Sequence, residues 1–187
     1  MRAAAWVLAA LMLGGCGTPR DPYVTSAGDT TSGNWKIAHQ PDKITGEDLP
    51  SAMVRAMASN TYAANARGSL LQMTCFDKQP VVRFAFEFKI GSDKNTILGY
   101  RFDDKPGHDS VAARVLTGDT SIVIDNPAAV AQFIGDLAGS HKLYVRIRSL
   151  TIGRTTAEYP IEGADAAVQA AFAGCPVMTA QTKKRSS

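Results

Sequence analysis

The stretch Val82-Arg83-Phe84-Ala85-Phe86-Glu87-Phe88-Lys89-Ile90 decides the fold class. Val82, Phe84, Phe86, Phe88 and Ile90 fall on one side of an extended chain, and Arg83, Ala85, Glu87 and Lys89 on the other. Strict alternation of this kind suits a strand with one face in a core and the other in water, as in an antiparallel sheet.

Similar segments continue on both sides of it. Gly91-Ser92-Asp93-Lys94-Asn95 turns the chain into a strand over 97–102, residues 103–109 turn it into 111–116, and Thr117-Gly118-Asp119 leads into 121–124. Upstream, 70–75 alternates with Cys75 inward, and 35–39 opens the domain with Trp35 and Ile37 inward. Residues 51–59 fit two templates, an alternating strand or an alanine-rich helix with Met53 and Met57 stacked four apart. No wide apolar stripe is present, so the strand is favoured. Further strands are expected over 142–148 and 155–161.

Two helices interrupt the strands. Asp125-Asn126-Pro127 supplies a capping side chain and a proline tolerated in the first turn, and Val130, Phe133, Ile134 and Leu137 then form one stripe that ends at Gly139. A second helix is expected over about 164–173, with Val168 and Phe172 inward, before Gly174 and Cys175. The fold class is therefore α+β, mainly β: an antiparallel, sandwich-like sheet of about seven or eight strands with two short helices.

The N-terminus speaks of address. Met1 and Arg2 precede an apolar run over 3–13 that is too short to span a bilayer as a permanent helix, and Gly14 and Gly15 are the small residues a signal peptidase needs. Leu13-Gly14-Gly15-Cys16 resembles the lipobox of bacterial lipoproteins, which implies a lipid on the Cys16 sulfur and a mature chain that begins there. Several acyl chains on one residue make a durable membrane anchor where a single chain binds marginally. Gly17, where an aspartate would resemble an inner-membrane retention signal, favours the outer membrane and a periplasm-facing domain.

Residues 16–33 hold almost no large apolar side chain and read as a lipidated, flexible tether, with one domain over 34–178 and a basic, polar tail over 179–187. Removing residues 1–15 from 187 leaves 172, enough for one core and short for two. A formal net charge of +3 implies neither a nucleic acid nor an acidic polymer as partner.

With Cys16 lipidated, Cys75 and Cys175 are left in an oxidising compartment, where they can pair. Two reduced structural thiols, or one reactive thiol, are the alternatives. Neither has the CxxC spacing of a redox or zinc site. His39, His108 and His141 lie in different segments without metal-motif spacing. Asp103, Asp104, His108 and Asp109 form a polar cluster that oxygen-loving calcium could use, but Pro106-Gly107 explains that turn without a metal. Neither a nucleophile motif nor a phosphate loop is found, so the chain is expected to be no enzyme and to hold no metal or cofactor. Lys142, Tyr144, Arg146 and Arg148 share one strand face, with Arg154 soon after. That stripe is either a solvated face or a site for an anionic glycan or a partner protein.

Taken in order, Trp35, the strand into Leu71-Gln72-Met73-Thr74-Cys75, Tyr100-Arg101-Phe102-Asp103-Asp104, Phe133-Ile134 with Leu137, Leu143-Tyr144-Val145-Arg146 and a terminal helix before Cys175 resemble the VasI or TagO-like accessory proteins of type VI secretion clusters. The resemblance implies a non-catalytic, β-rich envelope protein with its two cysteines bonded, and it also asks for a strand over 51–59. It carries over no catalytic residue. The expected function is a lipid-anchored binding or assembly accessory with an envelope protein as partner. The rivals are an envelope hydrolase built on a histidine and an acid, and a periplasmic inhibitor or modulator.

Overall fold

The computed structural model describes residues 29–41, 44–62 and 64–175. Within them, strands β1 (Thr30–Ser32), β2 (Trp35–Pro41), β3 (Asp48–Asn60), β4 (Arg67–Phe76), β5 (Gln79–Phe86), β6 (Thr96–Phe102), β7 (His108–Val111), β8 (Arg114–Val115), β9 (Ser121–Ile124), β10 (Lys142–Ser149) and β11 (Gly153–Pro160) join one antiparallel sheet. Helices α1 (Pro127–Leu137) and α2 (Ala164–Ala171) accompany it.

The main path runs β7-β6-β10-β11-β3-β4-β5-β9-β8, with the β1–β2 hairpin added beside β3. Thirteen residues long, β3 is the organising strand. One edge pairs with β4, while the other is divided between β2 at residues 48–53 and β11 at residues 58–60. The residues at 51–59 are thus a strand, as the missing apolar stripe predicted.

At the two ends of the path, β7 and β8 are separated in the chain by Ala112 and Ala113 alone. So short a link makes the sheet curl until its ends face one another. Inside the curl, Phe133 of α1 bridges β6 and β5. Its ring lies 5.0 Å from those of Tyr100 and Phe102 on β6 and 6.1 Å from that of Phe84 on β5, all edge-on. The helix begins where capping chemistry places it, with the Asn126 side chain accepting from the backbone N–H groups of Ala128 and Ala129. Small residues on α2, Ala164, Ala167 and Ala171, are buried and let that helix lie close on β2, β3 and β4. A disulfide between Cys75 and Cys175, with Cα atoms 5.7 Å apart, then joins the end of β4 to the segment beyond α2.

The α+β, mainly β class and both helices match expectation; the strand count and the layering do not. Eleven strands in one curled sheet replace the expected seven or eight in a sandwich. The extra strands are short edge pieces in segments whose composition signals turns or tether. β1 lies within the expected tether over 16–33, because ladder bonds to β2 and a hydrogen bond from Ser32 Oγ to the Gly163 carbonyl require no apolar side chain. The hairpin joins the far side tightly, since Cβ atoms at Gly33 and Gly163 would collide with the backbone of the opposite turn.

The quoted strand also ends earlier than its alternation suggests. Glu87 takes its carboxylate to the Gly68 N–H, and β9 pairs no further than Ala85. Residues 87–90 thus lie beyond the regular strand, held by backbone hydrogen bonds from Glu87 to Gly68 and from Ile90 to Asp119, with Ile90 buried and Phe88 packed on Phe86. Cys16 and the residues of the signal peptide and basic tail lie outside the described residues. Among those described, no helix is long and apolar enough to cross a membrane.

Phe133→Ala should cost about 3–5 kcal/mol, the range for emptying a buried aromatic site, and chemical denaturation of the parent and variant checks it. Reducing the disulfide should cost about 2–5 kcal/mol, because it ties a loop of 100 residues. Denaturation with and without reductant reads that loss, which should vanish in a Cys75→Ala/Cys175→Ala variant.

Candidate functional site

Along β10, Leu143, Val145 and Ile147 point into the core, so Lys142, Tyr144, Arg146 and Arg148 project together from the opposite face. Ladder registers set their neighbours. Arg146 stands between Gly99 of β6 and Thr156 of β11, with Ser59 of β3 beyond, while Tyr144 stands between Arg101 and Glu158. The β6–β7 hairpin rises beside this floor through Gly107, His108 and Asp109, and Met57 closes the opposite wall. The result is an open groove of about 650 Å³, within the size range of ligand sites.

Its electrostatics are organised by pairs. Arg148 Nη2 donates to both Asp109 carboxylate oxygens at 2.9 Å, and Arg146 Nη2 lies 3.1 Å from one of them. Partial desolvation acts to raise the Asp109 pKa, but the Arg146 hydrogen bond and the two guanidinium charges outweigh it and hold the carboxyl below its ordinary value. Lys142 Nζ lies 2.6 Å from Glu158, whose hydrogen bond and charge raise the ammonium above its ordinary value. Arg101 and Lys142 also sit over the Tyr144 ring, at 5.1 and 5.6 Å from its centroid.

Gly99 makes the Asp109 contact feasible. A Cβ there would come within 3.0 Å of the His108 carbonyl oxygen and 3.2 Å of an Asp109 carboxylate oxygen, and the register shifts between Leu98 and Tyr100 at the same place. The sheet thus gives way where the aspartate crosses β6.

Three further contacts hold the hairpin. The Asp103 carboxylate accepts from the backbone N–H groups of His141 and Lys142 at 3.0 and 2.9 Å. Lys105 Nζ donates to the carbonyls of Asp136 and Ala138 at the C-terminal end of α1, where orphan acceptors favour a cation. His108 Nε2 lies 2.9 Å from Asp136, against the Tyr100 ring. Burial, then the Asp136 charge and hydrogen bond, keeps the Tyr100 phenol protonated well above its ordinary range.

The four polar residues of the 103–109 turn therefore part company: Asp103 holds backbone, Asp109 holds arginines, His108 meets Asp136, and Asp104 is exposed. His39 pairs with Asp48 at 2.7 Å, and exposed His141 lies 3.9 Å from Asp103. Among the described residues, no three His, Cys, Asp or Glu side chains form a metal-sized group. Bonded to each other, Cys75 and Cys175 are neither reduced structural thiols nor a reactive one. Sequence reasoning found the floor of the groove but missed its walls. Arg101 was visible as the outward member of an alternating strand, whereas Asp109 was grouped with acids that share its turn and not its direction.

No family model and no curated protein matches this chain. Among solved structures it is similar to the invasion associated protein b of Bartonella henselae, with a TM-score of 0.50 and 10% identity over 83% of this chain and 99% of that one. At that identity the likeness is one of fold alone.

Asp103 gives the site a pH signature. Backbone hydrogen bonds, that from His141 first, lower its pKa in the folded chain, whereas the unfolded value is about 3.9. Its contribution is therefore present above about pH 3.9 and lost as pH falls through the lower folded value. Asp103→Ala should destabilise the chain at neutral pH and lose that deficit in acid, as read by urea denaturation across a pH series. A deficit unchanged at the acid end would mean that the carboxylate charge is not its source.

Proposed function

We propose that this chain is an exported, lipid-anchored binding or assembly accessory of the cell envelope, non-catalytic, whose partner docks in the groove over β6, β10, β11 and β3. One observation carries the reading: an open groove lined by Arg101, Arg146, Asp109 and Glu158, on a sheet face where Lys142, Arg148 and Arg154 stand beside it and bring the cations to five against those two acids. The disulfide is compatible with life outside the cytoplasm, and the lipobox at Cys16 would confine the domain to a membrane, by preference the outer one. The resemblance to type VI secretion accessory proteins makes secretion machinery the first place to seek the partner.

His108, 2.9 Å from Asp136 and on the groove wall, favours a second reading, an envelope hydrolase. Against it, a base needs a nucleophile or a positioned water within reach, and no hydroxyl or thiol among the described residues hydrogen bonds to the His108 ring. Turnover of peptide, ester or glycan substrates by the purified chain, abolished by His108→Ala, would establish that rival.

Thr156→Trp fills the groove from an exposed strand position that tolerates an aromatic residue. Affinity capture from detergent-solubilised envelopes should recover one stoichiometric partner with the parent chain and at least about tenfold less with the variant, at unchanged melting temperature. Equal recovery by both would move the docking site off this face, and a parent that stays solitary would count against the accessory role.

A further inference from the structure

We infer that the groove takes an extended, carboxylate-rich peptide segment of the partner, and that Asp109 is an internal carboxylate occupying the seat which that segment fills. The inference rests on the groove being the docking site.

The placement of Asp109 depends on several local features. The strand beneath it has no side chain at Gly99, the ladder register shifts there, and the next residue, Ser110, has φ +61, a left-handed conformation unfavourable for a residue with a Cβ. All this delivers one carboxylate to a fork of two guanidinium groups, the geometry best suited to recognising carboxylates. The hairpin does not depend on that contact, because Asp103, Lys105 and His108 each tie it to β10 or α1. Both partners are also accessible: side chains of Arg146, Arg148 and Asp109 are 44%, 43% and 50% exposed. Exposed ion pairs contribute little to stability, so an incoming carboxylate can replace Asp109 at small cost.

The rest of the groove indicates which carboxylate. Outward side chains along β10 recur about every 6.8 Å, the same spacing as carboxylates on alternate residues of an extended peptide. The stripe from Lys142 to Arg148 therefore presents cations in register with such a segment, with the Tyr144 ring steadying Lys142 and Arg101. A ring already engaged by two cations is a poor platform for stacking a sugar, and the other aromatic residue lining the groove, Tyr100, is 4% exposed. Exposed Met57 on the far wall offers an apolar contact to the residues between the acids.

The test uses the full mature chain and a short acetylated, amidated peptide of alternating Glu and Thr, with polygalacturonate as the anionic glycan and an alternating Lys and Thr peptide as control. Calorimetry at low salt should show the glutamate peptide binding the parent, and binding Asp109→Asn about three- to tenfold more tightly, since competition from an exposed ion pair is removed. Asp104→Asn removes the same charge from the same hairpin and should change affinity less than about twofold, the effect expected of screened charge alone. Arg148→Gln should weaken binding about tenfold. Should Asp109→Asn fold poorly, the parent still decides: the arginine side-chain N–H resonances of Arg146 and Arg148 should shift on peptide addition.

Equal gains in Asp109→Asn and Asp104→Asn, tighter binding of polygalacturonate than of peptide, or unmoved arginine resonances would each overturn the inference. If the envelope partner is still lost on Thr156→Trp in that case, the groove remains the docking site and only its ligand class is wrong.

Discussion

Everything in this structure depends on closing a long curled sheet whose two ends, β7 and β8, are joined by two residues. The ends β7 and β8 do not pair with each other, and inside the curl Phe133 joins β5 to β6 through an aromatic cluster. The same closure determines the outer face. Because β7 is an end strand with one ladder partner, its hairpin can lean over β6 and β10 rather than continue the sheet. Core and groove are two sides of one geometric constraint.

What the sequence disclosed follows from that geometry. Strands that bury one full face alternate legibly, and β5, β6, β10 and β11 carry Phe84, Phe102, Val145 and Tyr159 inward at regular intervals. The α1 stripe was legible for the same reason, since Val130, Phe133 and Leu137 all reach the core. By contrast β1 and β7 bury little: their residues are exposed or half-buried, and backbone pairing alone defines them. Hydrophobic patterning reports burial, so strands held by their ladders are silent in it.

The groove shows the same division. The stripe on β10 was readable because a single strand displays it, whereas the opposing wall comes from residues about forty positions earlier, and only the fold brings Asp109 to Arg148. No period or motif encodes that meeting. The nearest signals were Gly99 within an alternating strand and Asp109 after Pro106-Gly107. Glycine in a strand often marks a bulge or the close approach of another chain segment, and here it marks both.

A free row of cations binds any anionic surface it meets, weakly and without selection. An internal carboxylate changes that competition. Asp109 offsets part of the charge of the fork formed by Arg146 and Arg148, so a single anion there meets an acid already held at 2.9 Å, while a ligand with several carboxylates in register gains the remaining cations as well. Selectivity between such ligands then comes from the cations beyond the fork, because discrimination is a difference between affinities and the cost of displacing Asp109 is common to both. The left-handed backbone at Ser110 and the missing side chain at Gly99 make sense as parts of that arrangement, since each helps to place the aspartate.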